Sequence, residues 1–218
     1  MIVLSILKKS VMKYVGKIVN FVTTTTSQGT SDGSLGKSFV PDERMIELCR
    51  KAGTEGIVML KNNNNVLPLS RDNVVSVFGR VQNDYFFVGY GSGGDVKAPY
   101  KVSLMEGLKN NGKIKINELL ATTYKKWGEL NPVDDGFWGH WPMCYDEMPV
   151  ELSLAKTAAS MSDTALVILG RAAGEDRENL LQKGSYYLTD TEKQLLDSVT
   201  SAFDRVVLLL NCGSIIDM

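Results

Sequence analysis

The sequence predicts an α/β fold: a three-layer sandwich with a mostly parallel sheet and helices on both faces. Two observations carry this. Three short apolar runs, Val74–Phe78, 165–169 and 206–210, have the length and composition of strands buried on both faces. Segments with helical spacing alternate with them, and a strand, helix, strand order builds parallel units with helices packed on the sheet.

Each element has a local reason. Residues 2–22 are apolar but interrupted by Lys9, Lys13 and Lys17, which recur every four residues and make one polar stripe on a helix. The same lysines break any apolar span long enough to cross a membrane, and no secretory leader stands out. Residues 23–38 are rich in Thr, Ser and Gly and read as a linker. The chain therefore divides into an N-terminal amphipathic helix with linker, 1–38, and an α/β domain, 39–218. A helix follows Pro41-Asp42, with apolar residues from Met45 to Leu60 at helical spacing and the Asn62 to Asn65 run as its stop. Gly53 and Gly56 weaken that helix and imply close packing against a neighbour.

Beyond the strand Val74–Phe78, Ser103 with Glu106 forms a capping box for a helix to about Asn110. Residues 113–116 read as a short strand and 118–127 as a helix. Residues 129–149 carry three prolines with Phe137, Trp138, Trp141 and Tyr145, a long aromatic loop whose rings could stack on sugar C–H faces or pack the loop down. A helix over 152–161 leads into the strand 165–169. Thr189 with Glu192 caps the helix that precedes the strand 206–210.

Composition excludes several functions. The chain has 218 residues, 44% of them hydrophobic, and a formal net charge of -1. That is enough for a substantial core, and the charge balance argues against a nucleic-acid binder. Cys49, Cys144 and Cys212 lie far apart and His140 stands alone, so no metal-ligand spacing exists and no cofactor is implied. Such cysteines read as reduced thiols of a cytoplasmic protein. The glycines Gly89, Gly91 and Gly94 match a dinucleotide fingerprint on paper, but they follow no clear strand and open no helix. A loop that lets backbone approach a ligand or another domain suits them better.

The stretch after residues 165–169 is the candidate site. Gly170 ends the apolar run, and Arg171, Glu175, Asp176, Arg177 and Glu178 follow. In open α/β sheets ligands bind at the carboxyl ends of strands, so carboxylates there are acid/base candidates as well as solvated surface.

These residues also carry a resemblance. EGIVMLKN at 55–62 with Leu67-Pro68-Leu69, the strand at 74–79, GSGGDV at 91–96 and the segment from Asp163 to Asn179 together resemble the α/β sandwich domain of family 3 glycoside hydrolases, the β-glucosidase-like enzymes. The resemblance covers roughly residues 42–212. It implies a retaining β-glycosidase acting on terminal β-linked sugars such as β-glucosides. In that family the nucleophilic Asp stands on a TIM barrel that commonly precedes this domain. Too few residues precede it here for a barrel. The chain thus resembles the domain-reversed branch and is expected to be a fragment, truncated at its C-terminal side, that is inactive without its barrel. Leu180 to Gly184 also replace the family's leucine-proline.

By resemblance, Glu175 is the acid/base, with Glu178 as runner-up. Asp176 and Arg177 order the loop. Arg171 either pairs likewise or binds sugar hydroxyls, and Ser92, Asp95 and Trp138 complete the substrate site. The partners implied are an oligosaccharide or β-glucoside and the barrel of the same polypeptide. The competing function is a non-catalytic Rossmann-like module that binds a ligand or partner, which needs no carboxyl group at the strand tip.

Overall fold

A computed structural model describes residues 42–87, 89–91, 100–134, 136, 141–175 and 179–218. The N-terminal helix and linker expected over 1–38 lie outside the described residues. The chain forms two compact units, Met1–Val58 with Asp135–Trp141, and Met59–Asp134 with Pro142–Met218.

In the first unit, α1 spans Glu43–Glu55. Asp42 caps it by accepting from the Arg44 N–H at 2.9 Å. The helix is shorter than its apolar spacing predicts. It ends at Gly56, and residues 57–60 have no regular structure although their side chains are apolar. Among the described residues nothing lies within 4 Å of a Cβ placed on Gly53.

The second unit is built on four parallel strands: β1 (Val74–Phe78), β2 (Lys115–Ile116), β3 (Thr164–Arg171) and β4 (Val206–Cys212). Their order is β2-β1-β3-β4. The central strand β3 is buried at every position, as a double-faced strand must be. Alternation separates the faces. Phe78, Ala165, Val167, Leu169, Leu208 and Leu210 face one core. Val75, Val77, Leu166, Val207 and Leu209 face the other.

Helices α3 (Glu118–Leu130), α4 (Leu152–Ala159) and α5 (Asp190–Ala202) cover the first face with Leu120, Tyr124, Ala155, Ala158, Leu195 and Val199. Helix α2 (Leu104–Asn111) covers the second with Met105 and Leu108. Both expected capping boxes form, at Ser103 with Glu106 and at Thr189 with Glu192. Ser76, the one polar residue of β1, is fully buried, and its hydroxyl meets the Asn117 amide at 2.9 Å and the Ser162 hydroxyl at 2.6 Å. A buried hydroxyl requires such partners.

Candidate functional site

β3 ends at Arg171, but the chain runs on in extended form to Glu175. Two segments hold that extension. On one side the Ala172 N–H donates to the Met143 carbonyl at 2.7 Å. On the other, the Tyr90 N–H donates to Ala173 O at 2.7 Å and the Glu175 N–H donates to Tyr90 O at 2.9 Å, a short parallel bridge. Glycine is needed at this crossing. Gly91 has φ +117°, and a Cβ there would lie 2.5 Å from the Glu175 Cβ. A Cβ on Gly174 would overlap the backbone of Tyr90. Glu175 itself is exposed. Tyr90 and Gly91 are thus brought against Gly174 and Glu175, more than eighty residues away.

Arg171 is placed differently. Its side chain is fully buried. Nε donates to Ser185 O at 2.9 Å, Nη1 to Gly170 O at 2.8 Å and Glu192 Oε1 at 2.6 Å, and Nη2 to Glu192 Oε2 at 2.8 Å and Tyr187 O at 3.4 Å. A guanidinium has five N–H donors, and all five are engaged. This geometry favours the ion-pair reading over the expected contact with sugar hydroxyls, because no donor is left for a sugar. The signal was present in the sequence. Arg171 continues the alternation of Ala165, Val167 and Leu169, so it points at the face that α5 covers. Glu192 stands in the first turn of α5. The same carboxylate accepts the Thr189 N–H at 2.8 Å, joining the helix cap to the strand tip.

The other expected site residues, Ser92, Asp95, Trp138, Asp176, Arg177 and the runner-up Glu178, lie outside the described residues.

Sequence reasoning missed a second cluster beside this tip. Arg80 is buried. Its Nε donates to Asp84 at 2.9 Å and its Nη1 to Asp146 O at 2.9 Å. Its guanidinium carbon lies 5.0 Å from the ring centroid of Trp127. Its backbone N–H donates to Glu147 Oε2 at 2.8 Å, and Met148 N–H donates to Glu147 Oε1 at 2.8 Å. Burial pushes the Glu147 carboxyl up to about 7, against those two backbone donors, with Glu192 raising it further and the Arg80 charge opposing. Tyr124 lies near the same carboxylate. Burial first, and then Glu147, raise its hydroxyl well above the ordinary tyrosine value. Phe86 and Tyr145 stack with centroids 4.5 Å apart. No local pattern announces these groups, since Arg80 and Glu147 are 67 residues apart.

Burial also pushes the Cys144 thiol up to about 11, so it is protonated at neutral pH and a poor nucleophile. Among the described residues no group of His, Cys, Asp or Glu could hold a metal ion. Among them, too, no helix is long and apolar enough to cross a membrane.

The parallel α/β sheet thus carries an exposed carboxylate, Glu175, beyond the tip of its buried strand β3 and beside the bare Cα of Gly91. The family model described as "Glycosyl hydrolase family 3 C-terminal domain" matches residues 57–218, and the chain belongs to that family. It is 45% identical over 174 residues to a β-glucosidase of Ruminococcus albus, covering 79% of this chain and 18% of the relative. It is 30% identical over 208 residues to β-glucosidase A of Butyrivibrio fibrisolvens, covering 85% and 24%. Among solved structures, a β-glucosidase from Paenibacillus barengoltzii superposes with a TM-score of 0.80 at 45% identity, covering 82% of this chain and 20% of that one. β-Glucosidase 3B from Thermotoga neapolitana, solved in complex with α-D-glucose, gives 0.72 at 30% identity, covering 83% and 26%. The chain spans between 18% and 24% of the length of these two curated relatives.

Proposed function

We propose that this chain is the acid/base module of a retaining β-glucosidase and that Glu175 is the acid/base. The observation that carries the reading is the seat of Glu175. It is an exposed carboxylate beyond the tip of the central strand, with its amide bonded to Tyr90 O at 2.9 Å and its Cβ against the bare Cα of Gly91. A general acid must be aimed at one oxygen, and backbone on both sides restricts where this side chain can swing. The substrate is a β-glucoside, as the names of the relatives suggest. The nucleophilic carboxylate of a retaining pair has to stand about 5–5.5 Å from the acid/base. We assign it to a companion barrel domain of the same polypeptide. Without it, the isolated chain hydrolyses nothing. Three free cysteines support a reducing, cytoplasmic setting.

The mechanism that follows has two steps. Glu175, protonated, gives its proton to the leaving glycosidic oxygen while the nucleophile attacks the anomeric carbon. Glu175, now ionised, takes a proton from water as that water displaces the enzyme from the sugar.

The test places residues 57–218 in the R. albus β-glucosidase in place of its matching segment. In that chimera, Glu175→Ala should lower cleavage of a β-linked disaccharide by about 10²–10⁴-fold. A dinitrophenyl glucoside, whose leaving group needs no proton, should still form the covalent intermediate. Azide should then speed turnover and give a glycosyl azide of retained configuration. Equal loss on both substrates with no azide rescue rejects Glu175. Unchanged disaccharide cleavage points to the binding-module alternative.

A further inference from the structure

If Glu175 is the acid/base, something must fix the extension that carries it, since β3 has ended four residues earlier. The structure supplies a continuous support. Asn211, near the tip of β4, brackets the backbone of Phe86. Its Oδ1 accepts the Phe86 N–H at 2.9 Å and its Nδ2 donates to Phe86 O at 3.3 Å. The Phe86 ring lies against the bare Cα of Gly170, where a Cβ would be 2.7 Å from it. On its other side it stacks on Tyr145 at 4.5 Å with an interplanar angle of 13°.

Tyr145 belongs to the 143–145 segment that holds Ala172, and its hydroxyl is 3.4 Å from that of Tyr90. Tyr90 belongs to the segment that holds Ala173 and Glu175. The two tyrosines therefore join the two sides of the extension, and the Asn211 and Phe86 pair anchors the join to the sheet.

We propose that Asn211 is a positioning residue for Glu175, acting through Phe86 and the Tyr145–Tyr90 contact. It touches no reacting atom. A side-chain amide that pairs with both the N–H and the C=O of one residue fixes that residue's orientation as a strand neighbour would. Among the described residues, Phe86 follows β1 on a connection whose backbone is in no strand ladder. The aromatic stack then passes that fixed orientation to Tyr145.

The test uses the full 218-residue chain. Amide hydrogen exchange is followed at Tyr90 and Glu175, the donors of the bridge. Asn117 and Ala165, whose amides bond to Val75 O and Arg205 O in the body of the sheet, are the controls. Asn211→Leu should speed exchange at Tyr90 and Glu175 by about tenfold or more and leave the controls unchanged. The nuclear Overhauser contact between the Gly91 α protons and the Glu175 β protons should weaken with it. Asn211→Asp keeps the acceptor for the Phe86 N–H and should restore most of the protection. Phe86→Leu, with Asn211 intact, should reproduce the loss, and it serves in place of Asn211→Leu if that variant does not fold. Wild-type exchange at Tyr90 and Glu175 overturns the proposal. So does equal acceleration at all four amides, which marks a general loss of stability. Neither readout involves turnover, so failed azide rescue strikes the acid/base assignment and leaves this result standing.

Discussion

Arg171→Met tests the heart of the structure at the strand tip. The substitution keeps much of the apolar stem and removes all five hydrogen bonds of the guanidinium. The Glu192 side chain is 6% exposed, so it cannot turn to water for compensation. It keeps the Thr189 N–H as a donor, while the carbonyls of Gly170, Ser185 and Tyr187 lose the guanidinium and Tyr187 O keeps the Gly184 N–H at 2.8 Å. Breaking a buried pair by removing one partner costs about 3–5 kcal/mol. That is about a fifth or more of the roughly 5–15 kcal/mol that holds an ordinary domain together. Glu192→Gln retains the capping box and removes the charge, and should cost about 1.5–3 kcal/mol. In the double variant no charge is stranded, so the losses should fall short of additivity by on the order of 2 kcal/mol. Urea unfolding of the 218-residue chain, followed by circular dichroism and tryptophan fluorescence, measures all three. Lys183→Ala is the contrast. Its pair with Asp190 is equally short at 2.6 Å but largely exposed, and its loss should be silent. If Arg171→Met costs under about 1 kcal/mol, or if the losses add, the pair is not the strut described here.

Two further outcomes follow from the same coordinates. The Glu147 carboxyl is raised in the folded chain from 4.5 to about 7, so the native state holds its proton more tightly than the unfolded chain. Its contribution is complete below the unfolded value, is lost as pH rises from about 4.5 to 7 and is absent above, a fall of about 3 kcal/mol. The stability difference between wild type and Glu147→Leu should therefore shift by that amount across this window, and a flat difference or the opposite sign refutes the assignment. Gly79 and Gly91 both have positive φ, but a Cβ on Gly79 would overlap the Ile168 carbonyl inside the sheet, whereas one on Gly91 meets Glu175 at the rim. Gly79→Ala should lower global stability by about 3 kcal/mol or more, and Gly91→Ala should mainly displace Glu175, seen as faster exchange at its amide with little change in the unfolding midpoint.

How far the sequence could be read depended on the range of the forces that set each feature. β1 was legible to the residue because a valine-rich run bounded by Asn73 and Gly79 is marked off locally, and both capping boxes formed because a cap is a contact between residues three apart. The end of α1 was misread. Apolar spacing continues to Leu60, but at Gly56 the chain leaves the helix, and propensity rather than spacing decided the matter. Of the proposed site, the strand and the resemblance nominate Glu175 and the glycine loop contains Gly91, while the contact between the two required the sheet to form. Tyr145 was noted as a loop aromatic but not its stack on Phe86, and Arg80, Glu147 and Asn211 could not be found, since each acts on a residue in a distant segment.

Arg171 marks the boundary between the two cases. Its charge suggests a surface group at a ligand-binding strand end. Its parity with Leu169 says that it points beneath α5, where an unpaired charge would be prohibitive. Two periodic signals settle the conflict: strand alternation chooses the face, and the capping box at Thr189 places a carboxylate in the first turn of the helix on that face. A charged residue that continues the inward alternation of a buried strand should therefore be assigned to the interior and given a partner before it is given a substrate. Glu175 lies beyond the strand, where that alternation no longer decides the face, and it is exposed.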